Sequence, residues 1–183
     1  MLAEFIFAKK ILYYMNLTYR YATIDDISII REIAQKTWFS TYEPILGKEQ
    51  PQYMFDLIYS PEGLGEQMNS GQVFVIQHIT EKDKENTPVA FASYSIKDAD
   101  EKIYKLNKLY LNPEFQGGGL GKKLLVEVEN RLQQVGGLWL DLNVNRYNKA
   151  KQFYERMGFE VMAEEDIPIG EYFMNDYVMR KRL

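Results

Sequence analysis

Gly117-Gly118-Gly119-Leu120-Gly121 stands between a strand-like segment and a strongly patterned helix. Upstream, Ile103 to Leu111 reads as a strand. Downstream, Leu120, Leu124, Leu125, Val128 and Leu132 form one apolar stripe, ended by Gly136-Gly137. This join constrains the chain more than any other feature. A helix opens with unpaired N–H groups and the positive end of its dipole. Glycines let the backbone turn into it and let a ligand approach without a Cβ in the way. The predicted property is an anion site, most naturally for phosphate, with Lys122 and Lys123 adding charge.

Spacing separates the phosphate motifs. A P-loop needs a glycine, four residues, then Gly-Lys-Ser/Thr. Here Lys123 follows Gly121-Lys122, and Gln116 stands where the earlier glycine should be. The dinucleotide fingerprint also fails, because Gly117-x-Gly119 would require a glycine at Lys122.

Around this loop, Leu17 to Ala22 alternates as a strand, and Thr23-Ile24-Asp25-Asp26 resembles a capping box. Ile27, Ile30, Ile33 and Ala34 carry a first helix to about Trp38. Residues 39–70 read as irregular, with short helical pieces broken by Pro44, Gly47, Pro51, Pro61, Gly63 and Gly65. Val73–Ile76 and Val89–Ile96 form a hairpin pattern across the charged loop Glu81–Pro88. Leu138–Val144 reads as a strand, Asn148–Met157 as a short helix, and Phe159–Ala163 and Tyr172–Met179 as two last strands. The sum is an α/β (α+β) domain with a mixed, mostly antiparallel sheet of six or seven strands flanked by helices. Residues 17–183 are expected to be one domain and 1–16 an N-terminal extension.

That extension holds Phe5–Ala8 and Ile11–Tyr14 split by Lys9-Lys10, too short for the ~20 residues of a membrane span and unlike a secretory signal. Met15 offers an internal start. The segment is expected to be an amphipathic helix packed on the domain or a partner, and a homodimer would use it. The expected compartment is the cytoplasm, with no membrane partner.

Composition narrows the chemistry. Among 183 residues there is no cysteine and one histidine, His78, which removes thiolate catalysis, disulfides and a multi-histidine metal site. A net charge of −4 argues against nucleic acid as a partner. His78, in or just after a strand and without a ligand companion, is expected to be structural.

Gln116-x-x-Gly119-x-Gly121 resembles the acetyl-CoA signature of the GNAT (GCN5-related N-acetyltransferase) superfamily, Arg/Gln-x-x-Gly-x-Gly/Ala. Lys108–Pro113 resembles that family's fourth strand and its exit. Asn148–Phe159 resembles its closing helix, which ends in Phe-Tyr, three residues, Gly-Phe. The likeness covers residues 103–160 well and 17–102 only in the order of elements. It implies an acetyl-CoA-dependent N-acetyltransferase without a metal, moving acetyl to a primary amine directly in a ternary complex. With no cysteine, a Cys-bound acetyl relay is excluded.

The resemblance also implies roles. Backbone N–H groups of Gly117, Gly118, Gly119, Leu120, Gly121 and Lys122 would hold the CoA pyrophosphate beside Gln116. The open edge at Leu109, Tyr110 and Leu111 would pair with pantetheine. Tyr154 would protonate the departing thiolate, a phenol and a thiol being of comparable acidity. Two departures stand out. Asn107 occupies the place where many relatives carry a glutamate base, and an amide cannot take a proton. Tyr147 occupies the place of the family's helix-leading asparagine, so Asn148 is read as a helix cap at the cofactor site. Asp98 and Asp141 are candidate bases by strand position only.

The acceptor side carries Glu160, Glu164, Glu165, Asp166, Glu171 and Asp176 without a Lys or Arg between them. This is either a solvated face or a field that draws a cationic amine. Trp38, Phe39, Thr41 and Tyr42 resemble the substrate wall of the polyamine-acetylating branch, which implies a small amine or polyamine acceptor. The alternatives are a non-catalytic CoA-binding module and a protein N-terminal or lysine acetyltransferase.

Overall fold

A computed structural model describes residues 16–80 and 86–183. The expected helix over residues 1–14 and most of the charged loop lie outside the described residues. The described residues open with β1 (Asn16–Tyr21) and a 3-10 turn (Ile24–Asp26), then α1 (Ile27–Leu46), α2 (Glu49–Ile58) and α3 (Pro61–Asn69). β2 (Val73–Thr80), β3 (Thr87–Asp98) and β4 (Ile103–Leu111) follow. Next come α4 (Leu120–Gln134), β5 (Trp139–Asn145), α5 (Ala150–Arg156), β6 (Glu160–Ile169) and β7 (Tyr172–Arg182).

The seven strands form one sheet in the order β1-β2-β3-β4-β5-β7-β6. Only β4 and β5 run parallel, joined by the α4 crossover, and every other pair is antiparallel. The two parallel strands pair only from Ile103↔Trp139 to Leu106↔Leu142, then part. Asn107 marks the parting on the other side too, because the β3–β4 register slips between Ser93↔Lys108 and Tyr94↔Leu106.

One face of the sheet packs on α4, whose Leu124, Leu125, Val128 and Leu132 are at most 1% exposed. Burying each such side chain contributes ~1.5–3 kcal/mol. The other face packs on α1–α3 through Ile30, Trp38, Phe55, Tyr59 and Leu64. No helix among the described residues is long and apolar enough to cross a membrane.

Residues 39–70 correct the sequence expectation, being almost wholly helical. The prolines and glycines there punctuate helices rather than dissolve them. Pro44 falls in the last turn of α1, which Gly47 closes at φ 78°. Pro51 sits in the first turn of α2, where a missing N–H costs little. Pro61 opens α3 behind Ser60, whose hydroxyl accepts from Gly63 N at 3.0 Å.

The expected capping box closes the β1–α1 turn. Thr23 N donates to Asp26 Oδ2 at 2.9 Å, and Arg20 clamps the same carboxylate at 2.6 and 2.7 Å. The Arg20 guanidinium holds the Asp26 carboxyl down at about 2, below its ordinary 3.8. This stabilisation is complete above the unfolded value and disappears as pH falls through about 2. Asp26→Asn is therefore expected to cost about 1.5 kcal/mol at pH 7. Urea melts should show the gap to the native protein closing between pH 4 and pH 2, and a pH-independent gap would contradict the assignment.

Candidate active site

Where β4 and β5 part, a cleft of about 1000 Å³ opens, walled by both strands, the glycine loop, α5 and the Thr37–Tyr42 part of α1. Chain order produces it. A parallel pair that stops after four positions exposes unpaired backbone on both inner edges, and α4 delivers its N-terminus to one end.

Of the residues expected to hold the cofactor, Leu109, Tyr110 and Leu111 line the cleft from β4. Gln116, Gly117, Gly119, Leu120, Gly121 and Lys122 line it from the loop and helix start. Gly118 is not among the lining residues. Gly119 is the N-cap of α4 at φ 74°, and Gly117 stands at φ 86°, both in the left-handed region that favours glycine. No side chain caps this helix. Among the described residues, no acceptor takes the backbone N–H groups from Gly117 to Lys122. A cradle of unpaired amides at the positive end of a helix fits a diphosphate. An added Cβ would meet nothing within 4 Å at Gly117, Gly119 or Gly121, so the space above them is open.

Leu111 O accepts from the Thr37 hydroxyl at 3.2 Å, tying α1 to the strand exit. Asn148 Oδ1 accepts from Ala150 N at 2.9 Å, the expected cap on α5, while Tyr147 is 74% exposed. Asn107 donates to Ser95 Oγ at 2.9 Å.

Tyr154 lines the cleft from α5, with its ring 5.2 Å from Phe153 and 5.7 Å from Phe159. Burial, and then Tyr42, push its phenol above the ordinary value, so it remains protonated across the physiological range. Tyr42 also lines the cleft, and burial and then the Asp176 charge raise its phenol to about 12. Trp38 does not reach the cleft. It is 3% exposed in the α1–α3 core, and its Nε1 donates to Pro51 O at 2.8 Å.

Neither aspartate suggested as a base is free. Burial pushes the Asp141 carboxyl up, but bonds from Arg180 at 2.6 and 2.9 Å and Lys97 at 2.6 Å outweigh it and hold it low. Asp98 is exposed and caps a turn by accepting from Glu101 N at 2.9 Å. The acidic stretch is partly neutralised from the turn after β5, since Arg146 pairs with Glu164 and Asp166. His78 is 6% exposed within β2. No group of three or more His, Asp or Glu among the described residues could hold a metal ion.

Lys108 carried no signal in the sequence beyond its place in a strand. It is 9% exposed, with Nζ 2.5 Å from Gln67 Oε1 and 5.7 and 5.6 Å from the Tyr59 and Phe74 rings. Burial, and then Lys105, lower it to about 8 from 10.5. A folded value below the unfolded one is a cost, complete below about pH 8 and gone as pH passes 10.5. Lys108→Met is expected to raise stability at pH 7 by about 1–2 kcal/mol, tempered by the bond lost to Gln67. Denaturant melts should find the gain vanishing near pH 10, and a destabilised variant at pH 7 would refute the assignment.

Comparison with known proteins bears on this cleft. Residues 44–174 match the family described as Acetyltransferase (GNAT) domain. The chain belongs to the GNAT family. Spermidine N(1)-acetyltransferase of Thermoplasma acidophilum is 27% identical over 169 residues, 92% of this chain and 98% of that protein. An uncharacterized N-acetyltransferase of Mycobacterium tuberculosis is 34% identical over 85 residues, and the chain spans about half, 54%, of that relative's length. The crystal structure of the PaiA N-acetyltransferase from T. acidophilum in complex with coenzyme A shares 27% identity and a TM-score of 0.73, over 92% of this chain and 99% of that one. A GNAT structure from Rhodopseudomonas palustris has the same fold, with a TM-score of 0.73 at 20% identity over 91% of this chain and 95% of that one.

Proposed function

We propose that this GNAT chain moves an acetyl group from acetyl-CoA to a primary amine by direct transfer in a ternary complex. The observation that carries the reading is the row of unpaired amides from Gly117 to Lys122 opening onto the same cleft as Tyr154. The amides and Gln116 hold the diphosphate, and the β4 edge at Leu109–Leu111 holds the arm. Tyr154 gives its phenolic proton to the departing thiolate. That thiolate leaves into the same low-dielectric space, which raises its basicity along with that of the phenol.

The acceptor in this reading is a small amine or polyamine. The acidic residues Glu160, Glu165 and Glu171 are exposed on the acceptor side, and the chain resembles over most of its length a protein named for spermidine. The absence of cysteine and the reduced thiol product fit a cytoplasmic enzyme. Thiol release from acetyl-CoA with spermidine, lysine and peptide N-termini tests the whole. Fast turnover on spermidine supports it, equal rates on all three count against the acceptor, and tight CoA binding without turnover favours a binding module.

A further inference from the structure

Buried polar side-chain atoms without a partner are few among the described residues, and four of the five lie together. Asn143 Nδ2, Asn145 Nδ2, Arg146 Nε and Asp176 Oδ1 cluster at the end of β5 and on β7 beside it, while Gln77 Oε1 lies apart in β2. Leaving a buried carboxylate oxygen without a donor costs ~1–3 kcal/mol or more. A packing role would be met without that penalty by an apolar side chain.

The position is informative. β4 and β5 separate after Leu142, so Asn143 and Asn145 stand on the stretch of β5 that has left its partner. Asn143 lines the cleft. Asp176 pairs across from Asn145, which puts both side chains on one face, and Asn143 shares that face two residues away. Tyr42 ties this cluster to the reaction centre, since its hydroxyl feels the charge of Asp176 and itself acts on Tyr154. Each amide donor beside the carboxylate suits a water molecule that accepts from the amide, donates to the carboxylate and keeps its second lone pair for an incoming proton.

We propose that Asp176 is the proton acceptor of the acetyl transfer, drawing the proton from the amine through water held by Asn143 and Asn145. The proposal rests on the function above and supplies the base that Asn107 cannot be. An ammonium N–H bond breaks and its proton passes through the water to Asp176. The freed lone pair forms the N–C bond to the acetyl carbonyl. The C–S bond breaks with its electron pair on sulfur, which takes the Tyr154 proton. The second nitrogen proton, released as the amide forms, restores the Tyr154 phenol, and Asp176 returns its own to solvent. Ammonium and thioester become amide, thiol and one released proton.

The surroundings tune the carboxyl for this. Asp176 is 4% exposed, and burial raises it to about 6, against the opposing pull of Lys105 and Arg146 and with a push from Glu165. The groups facing it are Lys105 from β4, Arg146 after β5, Glu165 from β6 and Tyr42 from α1. It is therefore ionised at pH 7 and protonated on the acid side of about 6.

The test uses the full chain, acetyl-CoA and spermidine. Asp176→Asn is expected to lower kcat about 100-fold or more, with both KM values within about threefold. The acid limb near pH 6 in the native profile should vanish, replaced by a rate that climbs until the amine loses its own proton near pH ~10. An acid limb kept in the variant, or a raised amine KM with unchanged kcat, would overturn the proposal. CoA-induced thermal stabilisation reports folding. Should Asp176→Asn lose it, Asn143→Ala and Asn145→Ala decide: each is expected to lower kcat about 10-fold with the acid limb kept, and full activity in both overturns the relay. Native protein that binds CoA but acetylates no amine would instead sink the function reading, and this one with it.

Discussion

Tyr154→Phe is expected to lower kcat about 100-fold while the dissociation constant of acetyl-CoA stays within about twofold. The substitution removes one oxygen and leaves the ring contacts with Phe153 and Phe159 in place. Binding should hold because it is assigned to main-chain donors at Gly117–Lys122 and to the backbone of the β4 edge rather than to a side chain. Catalysis should fall because a thiolate expelled without a proton donor is a poor leaving group. Stopped-flow thiol release gives kcat, and calorimetric titration gives the affinity. Unchanged kcat would remove Tyr154 from the chemistry, and a large loss of affinity with kcat intact would make it a wall of the binding site instead.

The glycine loop proposed to hold the diphosphate was legible in the sequence because local rules decide it. A strand that runs into glycines and then into a five-residue apolar stripe leaves one outcome, and α4 begins at Leu120. The α1–α3 region was misread because Pro44, Pro51 and Pro61 are ambiguous without helix boundaries: the same residue breaks a helix in its middle and opens one in its first turn. Asp176 was legible only as one acid among six. Its meaning comes from β7 inserting between β5 and β6, which sets it against Asn145 rather than on the sheet edge. No local pattern encodes that order. Lys108 is a similar case, since burial of a strand lysine depends on three helices, residues 27–69, that lie far earlier in the chain. Asp98 and Asp141 failed for the opposite reason. Strand position suggested them, but Asp98 caps its own turn through Glu101 N, and Arg180 and Lys97, distant in sequence, hold Asp141.

Gly119→Asp is expected to weaken CoA binding at least about 100-fold while leaving the fold near its native stability. Asp tolerates the left-handed backbone that Gly119 adopts at φ 74° for roughly 1 kcal/mol, and its Cβ meets nothing within 4 Å. Part of that cost returns through a carboxylate at the positive end of α4, worth ~0.3–1 kcal/mol. The ligand meets a different situation. The new carboxylate competes for the N–H groups meant for the diphosphate and repels it at close range, an interaction of several kcal/mol at ~4 Å in a partly screened site. Gly119→Asn separates the two effects, because it has the same shape and backbone tolerance without the charge. It should lose about 10-fold or less, and 1 M salt should narrow the gap between the two variants by shortening the screening length to ~3 Å. Calorimetry of CoA binding at both salt concentrations reads all of this. An Asp variant that binds CoA as well as the native chain would mean that the α4 amides are not the diphosphate site. Tyr154→Phe, which moves turnover and spares affinity, and Gly119→Asp, which moves affinity through main-chain amides, then divide the cleft into two parts that fail independently.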